Sequence, residues 1–145
     1  MATRFGAALI CAALLTGTMA LAQDDAQTVP ALCRTVGGTG SLEAELLFGR
    51  NIQDKGTVSD SQWSDFLGRE VTPRFPDGLT VFEASGQWRD GESGRIVHEP
   101  SWIVMILAPN TPDTLARLSE IRTAYKARFQ QQSVGLTLSQ TCVDF

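Results

Sequence analysis

His98 is the only histidine in the chain, and it sits in SGQWRDGESGRIVHEPS (Ser85–Ser101) beside Gln87, Trp88, Arg89 and Arg95. An imidazole ionises near neutral pH and can act as a general base when a carboxylate orients it. Its neighbour Glu99 cannot do that, because successive strand residues point to opposite faces. Glu83 is the second acid/base candidate. The commoner reading of one histidine on a strand is an ordinary surface or packed residue. Gly91-Glu92-Ser93-Gly94-Arg95 comes close to a nucleophile elbow, but Arg95 replaces the last glycine and a hairpin is expected where the elbow needs strand, turn and helix. That reading is rejected. Gly37-Gly38-Thr39-Gly40 lacks the Lys-Ser/Thr of a phosphate loop and leads into a strand, so it reads as a flexible entry segment. No cysteine–histidine spacing suits zinc and no acidic loop matches an EF-hand, so neither metal nor cofactor is expected.

Arg50 breaks an otherwise apolar strand face. A charge there needs a partner or a ligand anion, since burying it alone is costly. Arg50, Gln87, Trp88, Arg89 and Arg95 therefore form a candidate ligand-binding set. Glu83 is the internal partner that would instead make Arg50 structural. Trp88 either stacks on a flat ligand or partner or covers the backbone of its own hairpin.

The elements that position these residues follow from periodicity. Leu42, Ala44, Leu46, Phe48 and Ile52 share one face of a strand, with Glu43 and Glu45 on the other. Asp54-Lys55-Gly56 reads as a loop. Ser59 and Gln62 make a capping box, Val58 and Trp63 a hydrophobic staple, and Trp63, Phe66, Leu67 and Val71 one buried helical stripe that Pro73 ends. Phe75-Pro76-Asp77-Gly78 is a turn before a second strand at Leu79–Ala84. Trp102–Leu107 is apolar on both parities, which predicts a central strand covered on both faces or a sheet used in a dimer. Thr111 caps and Pro112 opens a second helix, with Leu115, Leu118, Ile121, Tyr125 and Phe129 as its buried stripe. Val134, Leu136 and Leu138 alternate in a last strand. The order βαββαβ, with two amphipathic helices for one sheet face, predicts an α+β ferredoxin-like sandwich. That topology puts the end of strand one and the strand-two/three hairpin at the same end of the sheet.

The ends of the chain speak to location. Arg4, the apolar run to Met19 and Ala20-Leu21-Ala22 read as an export signal cleaved after Ala22, too short for a stable membrane anchor. Cys11 follows Ile10 and does not fit a lipidation site. Cleavage leaves 11 basic and 16 acidic residues, net −5, from a chain with 12 and 16, and this acidic balance argues against nucleic acid as a partner. Residues 23–41 read as a lead-in containing Cys33, and 42–145 as one domain. Cys33 precedes strand one and Cys142 follows strand four, so the topology brings them together, and an oxidising compartment favours a disulfide.

The segments Leu47-Phe48-Gly49-Arg50, Trp63-Ser64-Asp65-Phe66-Leu67, Val71–Val81 (VTPRFPDGLTV), Gly86-Gln87-Trp88-Arg89 and Glu99-Pro100-Ser101 resemble a secreted bacterial family, domain of unknown function 3574, over about Glu43–Phe145. The resemblance implies secretion and a single domain, and it adds no catalytic residue.

The reading that results is a secreted or periplasmic binding module, without enzymatic activity, for a small ligand or an envelope protein at the strand-one/hairpin end. The alternative is a small cofactor-free enzyme using His98 or Glu83 with an arginine over an anionic intermediate. A third is an envelope protein that self-associates, as a homodimer, through its apolar sheet face.

Overall fold

Leu42, Ala44, Leu46 and Phe48 alternate along the first strand, and all four are buried beneath two helices. The computed structural model describes residues 31–52, 56–91 and 93–145. The expected export signal at 1–22 and the lead-in through residue 30 lie outside the described residues, as do residue 53 and residues 54–55 of the expected Asp54–Gly56 loop.

A short helix α1 (Ala31–Thr35) leads to β1 (Thr39–Gly49) and then to α2 (Asp60–Phe66). Next come β2 (Thr80–Arg89), β3 (Ile96–Ala108), α3 (Pro112–Phe129) and β4 (Gly135–Val143). The strands form one antiparallel sheet in the order β2-β3-β1-β4. This is the ferredoxin-like order that the alternation of elements predicts.

α2 starts at the capping box read from the sequence. The Gln62 amide donates to Ser59 Oγ at 3.3 Å and the Ser59 amide to Gln62 Oε1 at 2.9 Å, while Val58 and Trp63 are both buried. Its last turn widens into a π-helical stretch, Leu67–Val71, in which the Thr72 amide reaches back to Leu67 O at 2.9 Å. That stretch buries Val71 before the Pro73 turn.

α3 buries Thr114, Leu118, Ile121, Tyr125 and Phe129, and Leu115 is 43 % exposed, so the expected stripe needs correcting at its first position. Thr114 can be buried because its hydroxyl donates to Pro109 O at 2.7 Å. Arg128–Asp65 at 2.7 Å ties the two helices together at the surface, and Arg74–Glu120 at 3.1 Å ties the turn after the π-helical stretch to α3. Beneath them the core is strongly aromatic. Phe48 meets Trp63, Phe66 and Tyr125 edge-on, with ring centroids 4.7–6.0 Å apart.

The glycine run at the entry is structured, which corrects the flexible-segment expectation. Thr39, Gly40 and Ser41 pair with Val143, Cys142 and Thr141. Gly37 takes φ 78°, and a Cβ on Gly38 would stand 2.7 Å from Cys142 Sγ and 2.9 Å from Val143 O. Only a glycine lets the backbone pass so close to the disulfide. Cys33 and Cys142 are joined, with Cα atoms 5.5 Å apart, and Cys33 is buried.

β3 uses both parities, as its composition requires. Trp102, Val104, Ile106 and Ala108 are buried under the helices, whereas Ile103, Met105 and Leu107 are half-buried on the side without helices. In a single copy that side of the strand is not covered.

Candidate functional site

Arg50 follows directly on β1 and turns back over the core. Its Nε and Nη2 donate to Val58 O at 3.0 and 2.8 Å, and Nη2 also reaches Asp60 at 2.8 Å. The guanidinium lies 4.0 Å above the ring of Trp102, which stacks on Trp63 at 4.3 Å with planes 6° apart. The partners of Arg50 are thus Asp60, a carbonyl and an indole. Glu83, expected as its partner, is exposed on β2 opposite Trp102 and makes no ion pair with Arg50 among the described residues.

The residues on either side of Arg50 are pinned as well. Tyr125 OH donates to Gly49 O at 2.9 Å, Gln131 Nε2 to Asn51 O at 2.6 Å, and the Asn51 amide to Glu99 Oε2 at 3.2 Å. A Cβ on Gly49 would fall 2.6 Å from that carboxylate, so glycine leaves the space Glu99 crosses. Burial pushes the Tyr125 phenol far above its ordinary range, with Arg50 acting against the shift and Glu99 adding to it. Each of these groups works inside the fold.

The hairpin residues are elsewhere. β1 ends with Gly49 opposite Ser101, but β2 and β3 continue for five more pairs, from Ser85–Pro100 to Arg89–Ile96. At the rise of an antiparallel strand this arm projects roughly 17 Å past the end of β1. The predicted convergence of Arg50 with Gln87, Trp88, Arg89 and Arg95 therefore does not occur. Shared topology puts them at one end of the sheet, but the length of the arm separates them.

The arm also divides its own residues between two faces. Gln87 and Arg89, with His98 and Ile96 opposite them, share the parity of the helix side. Trp88, opposite Val97, shares the parity of the open side, and so does Arg95, whose carbonyl accepts the Asp90 amide at 2.8 Å. Neither Arg89 nor Arg95 is in an ion pair among the described residues. Ser93 donates its amide and hydroxyl to Asp90 at 2.7 and 2.6 Å, an Asx-type turn rather than an activated nucleophile.

The two acid/base candidates do not meet either. Glu83 pairs with Trp102 and His98 with Gln87, four residues apart along the ladder, or roughly 13 Å. Both are exposed. No group of His, Cys, Asp and Glu among the described residues is arranged to hold a metal ion.

Two features went unread in the sequence. One is the extent of the open face. Leu47, Phe82 and Trp88 are 39, 46 and 39 % exposed; Leu47 and Phe82 flank Ile103 and Met105 on the sheet, and Trp88 lies farther out on the arm on the same face, beyond Ala84 and Gly86. The alternation Thr80, Phe82, Ala84, Gly86, Trp88 was the signal for it. The other is a groove of about 430 Å³ at the opposite end of the sheet, between the Phe75–Gly78 turn and the start of α3. Four of its five polar side chains, all but Asp77, are already bonded within the fold. Arg117 donates to Arg74 O at 2.8 Å and pairs with Asp113, and Thr114 is bonded to Pro109.

Comparison with solved structures places the architecture. A phage SAM lyase in complex with S-methyl-5'-thioadenosine is 18 % identical, with a TM-score of 0.59 over 73 % of this chain and 91 % of that one. The same phage enzyme in its apo state gives a TM-score of 0.55 at 18 % identity, over 72 % of this chain and 86 % of that one. The periplasmic divalent cation tolerance protein CutA from Archaeoglobus fulgidus aligns at 9 % identity with a TM-score of 0.39, over 74 % of this chain and 84 % of that one. At such identities the likeness to the phage enzyme is one of fold alone. No curated protein matches this chain. A sequence family described as "Protein of unknown function (DUF3574)" matches residues 43–145. Most of β1 and every later element fall within that match, and the chain belongs to the DUF3574 family.

Proposed function

We propose that this protein is a non-enzymatic interaction module acting outside the cytoplasm, and that it binds through the open sheet face and the arm that extends it. A disulfide, and the absence among the described residues of a helix long and apolar enough to cross a membrane, are compatible with an extracellular or periplasmic location. Secretion follows from the export signal read at residues 1–22. The observation that carries the binding surface is the uncovered apolar band of Leu47, Phe82 and Trp88 on the side without helices. Such a band is unusual on a monomeric surface and marks interaction sites. The arm argues in the same direction, because a two-stranded ribbon in water is marginal without something to pack on. Arg50 leaves the candidate set, since its guanidinium is bonded to Val58 O and Asp60 and stacked on Trp102. Gln87, Trp88, Arg89 and Arg95 remain in it.

The test is a photoreactive amino acid at position 82 or 88 of the secreted protein, expressed in its own cell envelope. Discrete adducts are expected from both positions and none from position 123, on the exposed side of α3. Positions 82 and 88 yielding no more adduct than position 123 would overturn the reading.

A further inference from the structure

The occupant of the open face is itself encoded in the strand register. On that face lie Glu43, Glu45 and Leu47 of β1, Phe82, Gly86 and Trp88 of β2, and Val97, Glu99, Ile103 and Met105 of β3. The apolar groups are central. Glu43 and Glu45 stand at the β1 side of the lower half. Glu99 stands higher, on β3 opposite Gly86, with its carboxylate bonded to the Asn51 amide, and an arginine, Arg95, stands at the arm's end with open-face parity. Glu43 and Arg95 are in no ion pair among the described residues. The chain thus presents a basic tip and an acidic floor on one surface, at opposite ends of an apolar band.

We infer that a second copy of this chain covers the face. The two sheets stack open side to open side about a two-fold axis that crosses the strands near Ser101, so that each arm lies along the lower half of the partner sheet. Such an interface is self-complementary, the same patch serving both copies.

The register explains why that axis is favoured. Arg95 precedes Ser101 by six residues and Leu107 follows it by six, and Leu107 pairs with Glu43. The two-fold therefore sets Arg95 of one copy level with Glu43 of the other, one strand spacing to the side and within the reach of an arginine. Trp88 and Val97 lie four residues above the axis, Met105 and Thr80 four below it, so Val97 falls over the partner's Met105 and Trp88 over Thr80, one strand from that methionine. Phe82 and Ile103 lie two below, and two above is Gly86, whose missing side chain leaves room for the phenyl ring. Ile103 falls over Glu99, whose carboxylate is turned aside to the Asn51 amide, and the one basic group at the arm's end falls beside a carboxylate. The arm gains a surface to rest on, and the open parity of β3 is buried, as its composition demands.

This proposal rests on the open-face reading above, and the measurement separates the two. Sedimentation equilibrium on the secreted, disulfide-bonded protein should give twice the chain mass at concentrations of about 10–100 µM. Glu43→Arg and Arg95→Glu should each weaken assembly by about tenfold or more, and the double exchange should recover most of the loss. Phe82→Glu should give a monomer with an unchanged far-UV spectrum.

A monomeric wild type, or a double exchange no better than the single ones, overturns the two-fold pairing. If the wild type is monomeric but photoadducts form at positions 82 and 88 with another protein, only the second copy is refuted. If the wild type is monomeric and no adducts form, both readings fall.

Discussion

The guanidinium of Arg50 lies 4.0 Å above the indole of Trp102, which itself rests on Trp63. This three-layer stack closes the core where β1 ends and the chain turns toward α2. Arg50→Ala removes a partly desolvated cation–π contact and two hydrogen bonds to Val58 O, and should cost about 2–3 kcal/mol. Arg50→Lys should recover only a fraction, because an ammonium neither stacks flat nor donates twice to one carbonyl. Urea unfolding checks both, with α2 expected to lose hydrogen-exchange protection first.

Tyr125 ties α3 to the same corner through Gly49 O. Tyr125→Phe keeps the ring contacts and should cost about 1 kcal/mol at pH 7. The folded protein holds the phenol's proton more tightly than the unfolded chain does, so the Tyr125 contribution is complete below about pH 10 and is lost as pH rises further. The wild type should therefore lose stability above that pH more steeply than Tyr125→Phe does, as read by thermal unfolding between pH 8 and 12.

Asp65 carries the opposite sign. Arg128 first, and Arg69 with it, hold its carboxylate below the ordinary value of 3.8. The unfolded chain then takes up the proton at higher pH than the folded one. The stabilisation is present above that ordinary value and is lost as pH falls through the lower folded value. Asp65→Asn should be less stable than the wild type at neutral pH, with the gap closing as pH drops toward 2. A gap that stays constant with pH would show that the ion pairs at Asp65 contribute nothing.

The disulfide joins residues 109 apart in sequence. Reducing it, or replacing both cysteines by serine, removes a constraint on the unfolded chain worth on the order of 4 kcal/mol. The midpoint of urea unfolding should fall accordingly. Because the bond lies at the end of the sheet away from the arm, assembly measured below the unfolding midpoint should persist.

The sequence makes much of the fold legible, for reasons that are local. Ser59-x-x-Gln62 and Thr111-Pro112 state where helices start, and the alternation of Leu42 to Phe48 states which face is buried. The pairing of Cys33 with Cys142 follows from the order of elements. Leu115 was misread because Leu and Thr114 compete for one turn of α3, and the hydrogen bond to Pro109 that lets the threonine win is a tertiary contact. Arg50 needs a partner, as its place on an apolar face indicates, yet the partners are Val58 O in the loop before α2 and Asp60 at the first position of α2 rather than Glu83.

The sequence by itself determined the element order, the sheet topology and the disulfide, because caps, periodicity and chain reversal act over a few residues and the rules joining them admit few arrangements. Only the tertiary structure decided what the candidate residues share. Where β1 stops relative to the β2–β3 hairpin is a matter of strand register between distant segments. That register carries Trp88 and Arg95 out on an arm, leaves Arg50 sealed over Trp102, and lines up Phe82, Ile103 and Leu47 on one uncovered face. A one-residue slip in it would exchange the two faces. No local pattern along the chain contains that information.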